Sequence, residues 1–142
     1  MNTIFDRKLR REYVAFREPP VITEELALVE LVKKFFLGLN TCDIELVISL
    51  FSEDAQIMSL GRSERVDVTE YRRALKDALP RLTFTGFDDV FLRMNKKCGC
   101  ALISGTLTTL FLNLNHQGGF SMECAKKDGL WKITSTNRWE IV

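Results

Sequence analysis

The cysteines and the single histidine are the residues of this chain best suited to bind a metal ion. The sequence holds four cysteines, two of which form the motif Cys98-Gly99-Cys100. Their spacing does not match a zinc knuckle, and His116 falls in residues 113–119, which have the composition of a polar loop. We therefore predict no metal site and no cofactor. We also expect reduced thiols and a cytoplasmic location, because the first residues lack the apolar core of a secretion signal.

The charge balance and the missing motifs argue against several classes of function. The net charge is +1, whereas a general nucleic-acid binder needs a basic surface. No apolar run reaches the length that spans a bilayer. The sequence contains no nucleophile elbow, phosphate-binding loop or dinucleotide-binding motif. We therefore expect no nucleic-acid partner, no membrane association and none of the activities that depend on those three motifs.

Helical patterns come first in the chain and strand patterns last, which predicts an α+β fold with three helices on a mostly antiparallel sheet. The predicted helices cover residues 23–39, 44–51 and 68–79, with Thr23, Asp43 and Asp67 as N-terminal caps. The predicted strands cover residues 55–60, 82–94, 98–112, 120–126 and 130–141. At 142 residues, the chain is expected to form one domain over residues 23–142.

The dipeptide Asp128-Gly129 predicts a two-residue hairpin turn, which sets the pairing of the last two strands. Counting outward from the turn, Lys127 pairs with Leu130 and Cys124 faces Ile133. In the same register Met122 faces Ser135, and Phe120 faces Asn137. The predicted inner face of this hairpin carries Phe120, Met122, Cys124, Trp131, Ile133, Ser135, Asn137 and Trp139. A buried amide needs partners, so Asn137 is either a satisfied core residue or a ligand contact.

The first 22 residues differ from the rest of the chain. Basic residues alternate there with aromatic and aliphatic ones as far as Pro19-Pro20, which breaks any helix. We favour an extra helix folded over the domain, because the apolar spacing is close to helical. A docking arm for a partner or an acidic surface is the alternative.

The order of elements resembles the nuclear transport factor 2-like superfamily. The matching segments are Phe35–Ile57 (FFLGLNTCDIELVISLFSEDAQI) and Asp128–Ile133 (DGLWKI). The resemblance implies a cystatin-like cone, in which a strongly curved sheet wraps around a long helix and a pocket opens at one end. The superfamily includes ketosteroid isomerases, polyketide cyclases, dehydratases, epoxide hydrolases and non-catalytic binding or assembly domains, so the fold does not identify the activity.

The resemblance also implies where catalytic groups would stand. The general base of the isomerases falls on Ser59, and their oxyanion-stabilising tyrosine falls on Phe35. Serine is a poor base near neutral pH, and phenylalanine donates no hydrogen bond. Their second acid falls nearest Glu123, which the hairpin register turns outward. A dehydratase would need an inward histidine, and an epoxide hydrolase would need a buried network, for which strand 82–94 offers only Asp88, Asp89 and Arg93.

The sequence therefore predicts a non-catalytic module, either a binder of a small apolar molecule or an assembly domain, that forms a homodimer. The alternative is a lyase, isomerase or cyclase that acts on a small apolar carbonyl compound. Dimerisation is expected through the sheet, because strand 98–112 carries apolar residues on both faces. The predicted ligand-binding pocket is lined by Phe35, Ser59, Phe120, Met122, Ser135, Asn137 and Trp139.

Overall fold

The structure is a computed structural model that describes residues 13–18, 22–58 and 64–140. The helices in these residues are α1 (Thr23–Asn40), α2 (Ile44–Ser49) and α3 (Val68–Ala78), and a 3₁₀ turn (Leu79–Arg81) follows α3. The strands are β1 (Val14–Phe16), β2 (Phe51–Met58), β3 (Arg65–Val66), β4 (Leu82–Asn95), β5 (Cys100–Phe111), β6 (Leu114–Lys127) and β7 (Leu130–Glu140). The predicted α+β class is confirmed.

The strands of the described residues form one sheet in the order β1-β4-β5-β6-β7-β2-β3. β1 runs parallel to β4 and β2 runs parallel to β7, whereas the remaining neighbours are antiparallel. The register shifts within β4–β5 and within β6–β7, and such irregularities bend and twist a sheet. α1 packs on β4 and β7 while α3 packs on β2, so the apolar core lies between the helices and the sheet.

The helix starts follow local capping chemistry at two of the three predicted positions. The side chain of Asp43 accepts a hydrogen bond from the backbone of Leu46, and that of Asp67 accepts one from Glu70. Thr23 is not a cap, because α1 begins after Ile22, whose side chain has no polar atom to offer. No helix within the described residues combines the length and the apolar character needed to cross a membrane.

The chain before α1 contributes a strand rather than the expected helix. Val14 pairs with Phe87 and Phe16 pairs with Val90. The backbone oxygen of Tyr13 accepts a hydrogen bond from the Phe87 amide at 2.7 Å. The open edge of β4 offers backbone N–H and C=O groups, with which a strand can form hydrogen bonds and a helix cannot. The helix prediction is thus wrong for residues 14–16, and the basic cluster at residues 7–11 lies outside the described residues.

Most of the segment that was expected to be a polar loop, residues 113–119, belongs to β6, which begins at Leu114. Phe111 pairs with Leu114 across a two-residue turn, and Leu112 and Asn113 both have positive φ angles, 52° and 65°. This is the backbone of a tight hairpin turn, which is seldom recognised in a sequence when leucine takes its first position. His116 consequently pairs with Thr109 as an exposed strand residue.

The last hairpin follows the predicted register only for its first few pairs. Asp128 and Gly129 form the turn with φ angles of 52° and 80°, and the predicted pair of Cys124 with Ile133 is confirmed. Glu123 then pairs with Ser135, so Thr134 is an extra residue on β7. A bulge of one residue reverses which face every later side chain occupies.

Beyond the bulge the predicted pairs are therefore wrong by one residue. Met122 pairs with Thr136 instead of Ser135, and Phe120 pairs with Arg138 instead of Asn137. Thr136 is only 1% exposed and Trp139 is 50% exposed, the reverse of the expected facing. The hydroxyl of Thr134 donates to the backbone oxygen of Glu123 at 3.1 Å across the bulge.

Candidate functional site

A partly open cavity lies between α1, α3 and the sheet. Its enclosed volume is about 60 Å³, and the atom-free space reaches about 570 Å³ when the open mouth is included. The walls are mainly apolar and come from both helical and sheet elements: Phe35, Phe36, Leu39, Met58, Tyr71, Ala74, Leu75, Ala78, Leu79, Leu82, Thr85, Leu107, Thr109, Phe120 and Arg138. A concave apolar site with a few polar groups is the usual form of a small-molecule pocket.

Aromatic side chains give the cavity a closely packed wall. The rings of Phe35 and Phe120 stack at 6.2 Å between centroids, and Phe36 stacks on Phe87 at 5.2 Å. Tyr71 meets Phe51 edge to face at 5.4 Å. Such contacts connect α1, α3 and three strands, so the apolar surface is held in shape before any ligand enters.

Tyr71 brings a neutral hydrogen-bond donor to this apolar surface. Its side chain is 6% exposed, and burial raises the pKa of its phenol above the ordinary value. Its hydroxyl makes no hydrogen bond among the described residues, and it is not one of the fully enclosed polar atoms of the structure. The phenol is therefore a protonated group that can donate to a molecule in the cavity.

Arg138 brings a cation to the same cavity. It is half-buried, and burial lowers the pKa of its guanidinium, which nevertheless stays protonated at neutral pH. Among the described residues it has no ion-pair or hydrogen-bond partner, and the cavity lining contains no acidic side chain. Its place on the inner face follows from the bulge at Thr134, which aligns it with Phe120.

A pair of threonines completes the polar part of the wall, and the amide of Asn40 is bonded to the backbone of one of them. The hydroxyls of Thr85 and Thr109 lie 3.3 Å apart and are buried. The amide of Asn40 donates to the backbone oxygen of Thr85 at 2.7 Å and accepts from its backbone nitrogen at 2.9 Å. Asn40 also donates to the oxygen of Phe36 at 2.8 Å. It thus joins the end of α1 to β4 beside the cavity.

The structure brings together only part of the predicted pocket. Phe35 and Phe120 line the cavity, whereas Met122 is fully buried in the core outside the lining. Ser135 is buried, and its hydroxyl has no hydrogen-bond partner among the described residues. Ser59 lies outside the described residues.

The bulge removes Asn137 and Trp139 from the cavity lining, which corrects the predicted pocket. Asn137 accepts a hydrogen bond from Arg65, and Trp139 is half-exposed with its ring close to Gly119. Tyr71 and Arg138 were missed. No lining residue was predicted from the helix that carries Tyr71, and the predicted hairpin register left Arg138 out of the inner face. A single sequence carries no signal of a strand bulge, so it could not have shown that Arg138 faces inward.

Other candidate catalytic groups are spread over the surface. Asp88, Asp89 and Arg93 are exposed, so they do not form the buried network of an epoxide hydrolase. Glu123 is exposed, as predicted, although its strand neighbours are buried. Within the part of the chain that the structure describes, no group of three or more histidine, cysteine, aspartate or glutamate side chains could hold a metal ion.

Comparisons with known proteins find similar structures and no similar sequences. No protein-family model matches the chain, and no curated protein matches its sequence. A nuclear transport factor 2-like protein of unknown function from Shewanella oneidensis is 20% identical with a TM-score of 0.70, over 82% of this chain and 98% of that one.

Two further solved structures have the same architecture. A protein from Novosphingobium aromaticivorans, provisionally named an aromatic ring hydroxylase, is 16% identical with a TM-score of 0.72 over 87% of this chain and 93% of that one. A protein from Xanthomonas campestris, provisionally named a calcium/calmodulin dependent protein kinase II association domain, is 15% identical with a TM-score of 0.72 over 92% and 94%. At such identities the likeness concerns the fold alone. The chain has the α+β cone fold of the nuclear transport factor 2-like proteins.

Proposed function

We propose that this protein binds a small, mainly apolar molecule in the cavity between α1, α3 and the sheet, and that it does so without catalysis. The observation that carries the proposal is the composition of the lining. Aromatic and aliphatic side chains form most of it, and its described residues include no carboxylate, histidine, lysine or cysteine that could act as a general base.

Isomerase chemistry, which the residues at the matching positions already argued against, has little support in this cavity. Phe35, at the position of the oxyanion-stabilising tyrosine, stacks on Phe120 and offers no donor. A proton transfer from carbon needs both a base and a group that stabilises the developing negative charge.

A reaction on a small carbonyl compound, by a lyase, isomerase or cyclase, is the second candidate. The observation that favours it is the inward phenol of Tyr71, which could polarise a carbonyl group as an oxyanion donor. The naming of the Novosphingobium protein as a ring hydroxylase agrees with the view that this fold accommodates enzymes. We prefer ligand binding to this reaction, because the described lining residues include no general base to act with the phenol of Tyr71.

A direct test uses toluene and benzyl alcohol as neutral apolar probes. Their binding is followed by methyl NMR, with the signal of Met58 as a reporter in the cavity wall. Ala74→Leu places a larger side chain in the lining and should abolish binding, whereas Lys76→Leu on the exposed side of α3 should leave it unchanged. Unchanged spectra for the wild-type protein at millimolar probe would refute the proposal.

We further propose that the protein forms a homodimer through the outer face of its sheet. Phe91, Leu102 and Trp139 stand on that face with exposed fractions of 52%, 39% and 50%. Phe91 pairs with Ser104 and Leu102 pairs with Arg93, so the two apolar side chains are close on neighbouring strands. Exposed apolar side chains grouped on one face are typical of a self-complementary interface. This surface would also serve the assembly role left open by the sequence.

The dimer is tested by sedimentation velocity at micromolar concentration. Leu102→Asp should shift the wild-type dimer to a monomer, because it replaces an apolar contact at the interface with a charge that would have to be removed from water in both copies. Leu130→Asp is the matched control, since Leu130 is 63% exposed beside the final hairpin turn. A wild-type protein that sediments as a monomer would refute this proposal without affecting the cavity.

We infer a cytoplasmic location from the thiols. Cys42, Cys98, Cys100 and Cys124 are all free, and the first three are exposed. Exposed unpaired thiols persist most readily in a reducing compartment.

A further inference from the structure

We propose that the cavity recognises the carboxylate of a small apolar acid, with the guanidinium of Arg138 as the group that binds it. This inference rests on the proposed binding function, because it specifies the chemical class of the ligand for the same cavity.

The first support is that Arg138 is a cation without a counter-charge in the described structure. Three other arginines of the described residues form ion pairs: Arg72 with Glu45, Arg73 with Glu70 and Arg81 with Asp77. Arg138 is more buried than Arg73 and faces a cavity whose described lining contains no carboxylate. Removing a charge from water is unfavourable unless an opposite charge or hydrogen bonds compensate for it. An anionic ligand would supply that compensation.

The second support is the position of the cation relative to the aromatic wall. Arg138 pairs with Phe120 across β6 and β7, and Phe120 in turn stacks on Phe35. A ligand with an apolar body can therefore contact the phenyl rings while its charged end meets the guanidinium. A planar guanidinium also presents paired N–H donors that match the two oxygens of a carboxylate.

The third support is the phenol of Tyr71 in the same lining. It is buried and protonated, and its hydroxyl has no partner among the described residues. A carboxylate can accept several hydrogen bonds at once, so it can satisfy both the phenol and the guanidinium. A neutral hydrocarbon would leave both groups without partners, so it should bind more weakly than the acid.

The mainly apolar lining favours a carboxylate over a phosphate. A phosphate carries more charge and usually binds to several cations or backbone amides. The described lining offers one cation and is otherwise mostly aromatic and aliphatic. The ligand class is therefore a small aromatic or branched aliphatic monocarboxylate, for which benzoate is a suitable probe.

The experiment compares benzoate with benzamide, which has nearly the same shape and no charge. Binding constants of the full chain are measured by calorimetry, and methyl NMR at Met58 reports whether each probe occupies the cavity. Benzoate should bind about 10- to 100-fold more tightly than benzamide, the usual effect of a hydrogen bond to a charged group. Arg138→Gln should remove that difference, whereas Arg73→Gln on the surface of α3 should preserve it.

Two further variants test the geometry of the contact. Arg138→Lys keeps the charge without the paired donors, so it should lose part of the preference for benzoate. Tyr71→Phe should weaken benzoate binding more than toluene binding, because only the acid uses the hydroxyl. Circular dichroism and melting curves establish that each variant is folded.

The outcomes separate the two proposals. Equal affinity for benzoate and benzamide, unaffected by Arg138→Gln, would overturn the carboxylate assignment and leave the apolar binding function intact. Displacement of benzoate by an equal concentration of inorganic phosphate would also overturn it, because the apolar body would then be irrelevant. If toluene, benzamide and benzoate all fail to bind, both proposals are refuted.

Discussion

Replacing Asn40 should destabilise the protein more than replacing any exposed polar residue around it. The side chain of Asn40 mimics a strand edge, since it accepts from the backbone nitrogen of Thr85 and donates to its backbone oxygen. Thr85 is 3% exposed, so water cannot easily take over these bonds. Asn40→Ala therefore leaves backbone groups of a buried strand residue without partners.

The size of the effect follows from those hydrogen bonds. Each buried backbone group left unsatisfied costs about 1–3 kcal/mol, so the two groups of Thr85 together cost about 2–6 kcal/mol. Alanine recovers roughly 0.5 kcal/mol through its higher helix propensity at the end of α1. The free energy of unfolding should fall by about 1.5–5.5 kcal/mol, which lowers the melting temperature of a domain of this size by roughly 4–20 °C.

Urea denaturation followed by circular dichroism is the measurement. Thr41→Ala is the matched control, because the hydroxyl of Thr41 also bonds to a carbonyl of α1 but is exposed. It should change the free energy of unfolding by less than about 1 kcal/mol. Asn40→Asp should also lower the free energy of unfolding, since it keeps the acceptor and loses both donated bonds. The reasoning is refuted if the free energy of unfolding of Asn40→Ala lies within about 0.5 kcal/mol of the wild-type value, because that difference is smaller than the usual contribution of one hydrogen bond.

Three other perturbations have defined expectations. Leu112→Asn should raise the free energy of unfolding by about 1 kcal/mol in urea, because asparagine tolerates the positive φ that leucine holds at this exposed turn; no gain would contradict the turn assignment. The pKa of Glu24 is lowered by hydrogen bonds from Lys126 and then Trp131. The stabilisation that the Glu24 carboxylate contributes to folding is therefore present above its unfolded pKa, and it is lost as the pH falls through its folded pKa. Melting curves of Glu24→Gln should therefore depend less on pH in the acidic range than those of the wild type. Arg138→Met should stabilise the ligand-free protein by up to about 1 kcal/mol, because it removes a half-buried charge; destabilisation would reveal a partner for that charge.

Much of the fold could be predicted from the sequence, because it depends on neighbours along the chain. Asp43 and Asp67 each cap a helix through an amide three residues away. Asp128-Gly129 adopts the positive φ angles that its turn requires. The apolar spacing of α1 produces a helix that ends within one residue of the predicted position. Each of these features needs no contact from a distant part of the chain.

The candidate site depends on contacts between distant segments, which a single sequence does not reveal. Thr134 bulges where β7 must follow the curved sheet, and this one extra residue moves Arg138 to the inside and Asn137 and Trp139 out of the cavity lining. Because strand side chains alternate with a period of two, a one-residue shift exchanges the faces of all that follow. The residue types of β7 were thus known from the sequence, but only the tertiary structure decided which of them face the cavity.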